Sequence, residues 1–399
     1  MMAKAHGWRR VRLGDVCETF SGGTPSRTNP GFFGPGVPWI KSGELNAGEI
    51  HETEESITEL GLSSSAARVV EPGTNLIALY GATAGVAGRT RIRAAINQAI
   101  LAVVPKDDEV VSDYLQFLLQ RVGAEAAKLV QGAQPNLNAG LVQGHVCGLP
   151  PKEEQVEIAL ILKTWTEGVR KAEQLLVRQG ECKRGLMQEL LTGKTRFKEF
   201  KGDAWRSVRI GSLLEECDRY VDWSDDTAYR FASIRRRSGG LFDRGTFRGR
   251  EVKTKVLKLL KAGDFVISKR QVVHGAWAMV TKVFDGFGVS DEYDVLVNRD
   301  PKALDMRFFD YLSQTRRLWH MAYLASNGVH IEKLIFDFDD FAKEKVRIPP
   351  TAREQAKIVD VLSTCDREIE LLQQQLAALK EQKRGLMQKL LTGEVRVKV

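Results

Sequence analysis

The sequence predicts an α+β fold: two globular mixed α/β domains separated by two long helices that form an antiparallel coiled coil, with pseudo-twofold internal repetition. Three observations predict it. A segment near the middle of the 399-residue chain recurs almost unchanged at its end, both copies carry apolar residues along one helical seam, and the regions preceding them share a fainter order of strands, turns and helices. Length alone favours more than one folding unit, because a single core stops growing near 250–300 residues.

The repeat is read by shifting the sequence by 200 positions. KRGLMQELLTG (Lys183 to Gly193) then falls on KRGLMQKLLTG (Lys383 to Gly393), with ten of eleven positions identical. Upstream, Glu154 and Gln155 fall on Glu354 and Gln355, and each copy opens just after a Pro-Pro pair, Pro150-Pro151 and Pro349-Pro350. Fixed-period self-similarity of this kind marks a duplicated structural unit.

Each copy reads as one long helix. Apolar residues step by three and four through Leu162, Trp165, Val169, Ala172 and Leu176 and resume at Leu186 and Leu190 in the first, and run through Leu362, Cys365, Ile369, Leu372, Leu376 and Leu379 and resume at Leu386 and Leu390 in the second, which is a heptad seam. Gln179, Lys183 and Lys383 interrupt it and are expected to weaken packing locally and to fix the register. Thr351 with Glu354 reads as a capping box, and Gly193 and Gly393 stand where a helix ends in a left-handed residue. Helices from Glu154 to Thr192 and from Glu354 to Thr392 would each be roughly 58 Å long at ~1.5 Å per residue. A single seam on a charged helix needs a partner, and the duplicate helix is the nearest candidate.

The flanking regions complete the order of domain, helix, domain, helix. Expected bounds are 1–150 for the first domain, 151–195 for the first helical segment, 196–349 for the second domain and 350–399 for the second helical segment. Trp8-Arg9-x-Val11-Arg12-Leu13-Gly14 resembles Trp205-Arg206-x-Val208-Arg209-Ile210-Gly211. Strand-like runs at Ile100 to Val104 and Val295 to Val297 are followed by helices expected near Ser112 to Lys128 and Asp305 to Leu324.

Composition narrows the function. Lys plus Arg number 59 against 51 Asp plus Glu, a formal charge of +8, which favours a polyanionic partner. Five scattered cysteines with no C-x-x-C pair argue against a disulfide scaffold and a zinc ribbon. The opening MMAKAHGWRRVRLGD lacks an apolar signal core, and no run approaches ~18 apolar residues, so a cytoplasmic protein with no membrane association is expected. The helices repeat letter by letter while the domains repeat only in outline. The helices therefore answer one shared constraint and the domains two different ones, as two DNA half-sites with one backbone and different base edges would impose.

These residues resemble the specificity subunits of type I restriction-modification systems. The resemblance spans essentially the whole chain and rests on the duplicated openings in which Pro-Pro is followed by Glu-Gln (Pro150-Pro151 with Glu154-Gln155, Pro349-Pro350 with Glu354-Gln355), the KRGLMQxLLTG helix ends, SGGTPSR (Ser21 to Arg27), VPWIKSGELN (Val37 to Asn46), LIALYGATAG (Leu76 to Gly85), INQAI (Ile96 to Ile100) and GDFVISKRQVVHGAWA (Gly263 to Ala278). It implies a non-catalytic subunit whose two target-recognition domains read a bipartite, asymmetric sequence in double-stranded DNA. It further implies two methyltransferase (modification) subunits bound through the helices, and restriction/translocase subunits beyond them. No cofactor belongs to this chain on that reading; S-adenosylmethionine, ATP and magnesium belong to the partners. A coiled-coil DNA-binding regulator or scaffold with no methyltransferase partner is the alternative, and it leaves the family-like loops unexplained.

Candidate DNA contacts follow. From Arg235 to Lys261 ten basic residues face two acids, and glycines make the stretch loop-like, so Arg235, Arg236 and Arg237 are read as gripping phosphate and partly reading bases, against a plain solvated surface. Lys269, Arg270, Gln271 and His274 follow a strand-like run and carry donors suited to phosphate and purine edges, although His274 alone is equally an ordinary loop histidine. In the first domain Lys41 and Ser42, and Tyr80, Gly81 and Thr83, lie where strand ends turn into polar loops. Asn97 and Gln98 either bridge a base or cap a strand.

Enzyme signatures fail on inspection. Gly193-Lys194-Thr195 lacks the upstream glycine of a phosphate-binding loop, since Gln188 stands there, and it ends a helix instead of opening one. Asn29-Pro30-Gly31-Phe32 lacks the second proline of an amino-methyltransferase motif, Glu251-x-Lys253 is too common a triplet to indicate a nuclease, and His145-x-Cys147 has no second pair at zinc spacing.

Overall fold

The duplicated segments are helices Lys152–Leu190 and Ala352–Thr392. The computed structural model describes residues 7–129 and 137–398; the remainder of the domain expected over 1–150 lies outside the described residues. The chain divides into two units, Met1–Gln174 with Gln373–Val399, and Leu175–Leu372, so each holds the start of one long helix and the end of the other.

In the first unit a five-stranded sheet runs in the order Cys17–Ser21, Ile100–Pro105, Asn75–Ala78, Ala87–Thr90, Glu49–Ile50. A four-stranded sheet runs Glu55–Ile57, Phe33–Ile40, Ala94–Ile96, Arg68–Val70, and Arg9–Arg12 pairs antiparallel with Val146–Leu149. Helix Ser112–Leu129 covers the larger sheet, with Tyr114, Leu115, Leu118 and Leu119 buried in a core that also takes in Ile77, Leu101 and Val103. That core continues into the helix pair through Ile158, Ala159 and Leu162 on one side and Leu390 and Leu391 on the other.

The second unit repeats the plan. One sheet runs Leu214–Glu216, Tyr293–Asn298, Phe265–Ser268, Trp277–Met279, and another Leu241–Arg248, Ala228–Ile234, Gly288–Val289, Lys258–Leu259. Its core gathers Phe265, Trp277, Phe308, Phe309 and Phe341 and reaches Leu190 and Leu191 on one long helix and Ile358, Val359 and Leu362 on the other. The helix expected over Asp305 to Leu324 is in fact two, Met306–Ser313 and Arg316–Leu324, because the Thr315 hydroxyl accepts from Leu318 N–H and starts a new helix. Arg235 to Lys261 is loop-like over 235–240 and 252–257, but part of it is strand. Ala228–Ile234 and Leu241–Arg248 form an antiparallel hairpin, and only its turn, 235–240, stands free of the ladder.

Within each unit the helices run antiparallel. Lys380 Nζ lies 2.6 Å from Glu173 Oε1 in the first unit, while Gln179 bonds Glu368 and Lys183 bonds Asp366 in the second. Along the seam Leu162 and Leu362 are fully buried, and Val169, Leu176, Leu186, Ile369, Leu376 and Leu386 are half-buried.

The ends of the helices explain the repeated letters. Glu354, 1% exposed, accepts from Arg196 Nε and Nη2, both at 2.8 Å, and from Trp205 Nε1 at 3.1 Å. Glu154 does the same with Arg396 Nε and Nη2, at 2.7 and 2.8 Å, and Trp8 Nε1 at 2.9 Å. Burial opposes ionisation of Glu154, yet Arg396, Trp8 and the Val397 N–H outweigh it and hold the carboxyl below the ordinary glutamate range. Gln155 accepts from Val111 N–H and donates to the Glu109 and Pro150 carbonyls; Gln355 accepts from Asp305 N–H and donates to those of Ala303 and Pro349. The expected capping box is only half made. Thr351 Oγ1 accepts from Glu354 N–H at 3.4 Å, but the Glu354 carboxylate is drawn to Arg196 and Trp205. Gly193 and Gly393 close the helices at φ of 70° and 72°.

The two seam lysines differ. Lys183 bonds Asp366, which also accepts from Tyr311 Oη at 2.6 Å. At the matching places in the first unit stand Thr166 and Phe117, and Glu173 is engaged by Lys380. Lys383 is therefore half-buried with no carboxylate bonded to it among the described residues, and burial holds its ammonium below the ordinary lysine range. A depressed lysine pKa costs stability in full below the folded value, and the cost is relieved as pH rises from that value to the ordinary lysine range. Lys383→Leu is expected to stabilise the isolated chain at neutral pH by about 1 kcal/mol, whereas Lys183→Leu, which strands Asp366 and Tyr311, is expected to destabilise it by about 1–3 kcal/mol. Denaturant unfolding of both variants checks this, and shifts in the same direction would count against it.

Candidate nucleic-acid interface

In the first unit, backbone hydrogen bonds gather the expected contact segments into one turn cluster. Asn97 N–H donates to Ile40 O at 3.1 Å, beside Lys41 and Ser42, and Leu79 N–H donates to Ala99 O at 2.7 Å, beside Tyr80. Gly81 and Gly85 take φ of 84°, the left-handed region, to turn the 80–85 loop, and Thr83 O accepts from Val86 N–H. Tyr80 and Gln98 are exposed, with Gln98 bonded to Thr24. Asn97 Oδ1 accepts from Ala99 N–H, which is the strand-capping role. Lys41 Nζ lies 2.7 Å from Glu54 and 3.1 Å from Glu55, and those hydrogen bonds keep its ammonium above the ordinary lysine range.

The second unit gathers its segments in the same way. Arg237 N–H donates to His274 O at 2.7 Å and Ser238 N–H to Gly275 O at 2.8 Å, so the hairpin turn 235–240 rests on the turn 269–275. Arg236 Nε donates to Gln271 Oε1 at 2.6 Å. Arg235, Arg236, Arg237 and Arg270 are exposed, and Arg270 pairs with Glu292 at 2.5 Å. Lys269 faces inward: its Nζ is 2.9 Å from Asp294, which is 2% exposed, so it braces the turn. Arg237 and Ser238 adopt φ of 58° and 54°, unusual for residues with side chains, and the two hydrogen bonds to His274 O and Gly275 O hold them there.

Sequence reasoning missed a further member of this cluster. Strands Ser326–Asn327 and Ile335–Phe336 form a short ribbon, and Phe336 N–H donates to Lys269 O at 2.9 Å, joining it to the basic turn. Its strands are two residues each, too short to carry a legible alternation in the sequence. The arginines at 196 and 396 were also passed over, although the 200-residue shift superposes them.

Two units of one plan, each presenting a polar turn cluster, are the layout of a tandem recognition protein. The profile of the family described as Type I restriction modification DNA specificity domain matches residues 5–176 and 204–381, and the chain belongs to that family. It is similar to the type I restriction enzyme MjaIX specificity subunit of Methanocaldococcus jannaschii, 25% identical over an alignment spanning 52% of this chain and about half, 52%, of the relative. It is also similar to the MjaVIII specificity subunit of the same organism, 21% identical over 98% of this chain and 93% of the relative. The crystal structure of the type I restriction-modification S subunit from M. genitalium shares the fold, with a TM-score of 0.57 and 11% identity over 98% of each chain.

Gly275 is the clearest point of strain in the second cluster. It sits at φ +70°, and an added Cβ would lie 2.6 Å from the Trp319 ring. Gly275→Ala is expected to cost about 2–4 kcal/mol of stability, from left-handed strain plus the clash. Thermal unfolding checks it; an unchanged midpoint would show that the turn is looser than these contacts imply.

Proposed function

We propose that this chain is the DNA-recognition subunit of a type I restriction-modification complex, catalysing nothing itself and reading a two-part asymmetric target in duplex DNA, one part by each unit. The observation that carries this reading is a contrast. The residues that close the units repeat (Glu154 and Glu354, Gln155 and Gln355, Arg196 and Arg396), while the turn clusters do not. One cluster offers Lys41, Ser42, Tyr80, Thr83 and Gln98; the other offers Arg235, Arg236, Arg237, Arg270, Gln271 and His274. Repetition suits two copies of one partner, and divergence suits two different base sequences.

Two modification subunits bind the helical segments on this reading, and restriction/translocase subunits complete the complex. S-adenosylmethionine, ATP and magnesium belong to those partners, and the assembly works in the prokaryotic cytoplasm. Among the described residues no helix is long and apolar enough to cross a membrane, and no cluster of three or more metal-ligating side chains is found.

A methylome map of cells carrying the chain with the modification subunit of its system tests the proposal. The expected result is a two-part adenine motif with a fixed gap, and Arg236→Ala is expected to blur one half only, at a cost of about 1–3 kcal/mol in binding if the guanidinium meets a base edge. A continuous motif, or none, would overturn the reading.

A further inference from the structure

The ribbon of the second unit is anchored firmly at its base. Phe336 and Leu334 are buried, Phe336 packs on Phe341 with ring centroids 5.3 Å apart, and Asp337 N–H donates to Ala325 O at 2.9 Å. Its tip is the opposite. Val329 is 91% exposed and Ile331 54%, with exposed Ile335 on the second strand and exposed Leu324 at the end of the preceding helix. Gly328, at φ +156°, makes the turn, and an added Cβ would lie 2.8 Å from Lys333 O. Apolar side chains held out in water on a braced hairpin mark a contact surface, since burial at the hairpin's own base gives them no cover.

The surroundings say what covers them. The ribbon is tied by its backbone to Lys269, in the turn cluster that carries Arg235, Arg236, Arg237 and Arg270, and its own connecting segment carries exposed His330 and Lys333. A cationic rim suits a polyanion, and a two-stranded ribbon fits the major groove of B-DNA. The apolar feature displayed in that groove is the C5-methyl group of thymine.

We propose that this ribbon enters the major groove beside the basic turn and that Val329 reads a thymine through its methyl group. The inference rests on the DNA-recognition reading above and adds a residue and a chemical group to it. Val329 touches nothing that holds the fold, so Val329→Ser is expected to leave folding unchanged.

The experiment takes the assembled modification complex with wild-type chain and with Val329→Ser, first mapping the methylated motif of each. Val329→Ser is expected to relax one A·T position in one half of the motif and leave the other half intact. On the wild-type motif, replacing that thymine by deoxyuridine is expected to weaken binding about fourfold, the factor for losing one buried methyl, and to have no effect on the Val329→Ser complex. An unchanged motif, together with indifference to deoxyuridine at every thymine of both halves, overturns the proposal while the recognition reading stands. Loss of a subunit from the Val329→Ser complex with DNA binding intact also overturns it, because the tip would then be a protein contact. A wild-type chain that yields no two-part motif removes the underlying reading, a result distinct from either.

Discussion

A buried glutamate in the first turn of each long helix, gripped by an arginine that arrives just past the end of the other helix, is the constraint on which each unit depends. The Arg196 guanidinium meets Glu354 bidentately in one unit, and Arg396 meets Glu154 in the other, with Trp205 and Trp8 donating to the same carboxylates. Such planar pairs have stricter geometry than a lysine contact, and a carboxylate 1% exposed cannot fall back on water. The neighbouring glutamine then stitches the helix start to the loop ahead of the domain helix, at Val111 in one unit and Asp305 in the other. Each unit is thus closed by chain segments far apart in sequence, Trp8 with Arg396 being the extreme case.

With closure assigned to repeated residues, the turn clusters are left to diverge. In the first unit the cluster is mild: small residues, a tyrosine, and a lysine tied to two glutamates. In the second it is strongly cationic, and its arginines sit on a turn held at positive φ by hydrogen bonds from a second turn. The scaffold therefore fixes where donors stand without fixing what they are. The seam shows the same separation. Lys183 found Asp366 and Tyr311, whereas the first unit has Thr166 and Phe117 at the corresponding positions, and no carboxylate is bonded to Lys383 among the described residues.

Much of this was legible in the sequence, for identifiable reasons. The long helices announced themselves through a seven-residue apolar period and through glycines at their ends, both local signals. The turns proposed to meet DNA were legible as turns because each follows a strand-like run and ends in small or polar residues, and hydrogen bonds such as Asn97 to Ile40 and Arg237 to His274 bring them together. What stayed hidden was set by tertiary partners. Thr351 and Glu354 spell a capping box, but nothing local tells that Arg196 will claim the carboxylate. Thr315 splits an apparently continuous helix because its hydroxyl makes a cap. Lys269 looks like a free cation until the fold sets it against Asp294. The ribbon was invisible because its two-residue strands carry no legible alternation.

The closing pair is tested most directly by a double-mutant cycle at Arg196 and Glu354, using Arg196→Met, Glu354→Gln and the double variant, with unfolding free energies measured in denaturant. Each single change is expected to cost about 2–4 kcal/mol and the pair to show a coupling of about 2 kcal/mol or more, the double variant being far less damaged than the sum of the singles. Additive losses, with coupling near zero, would contradict the account.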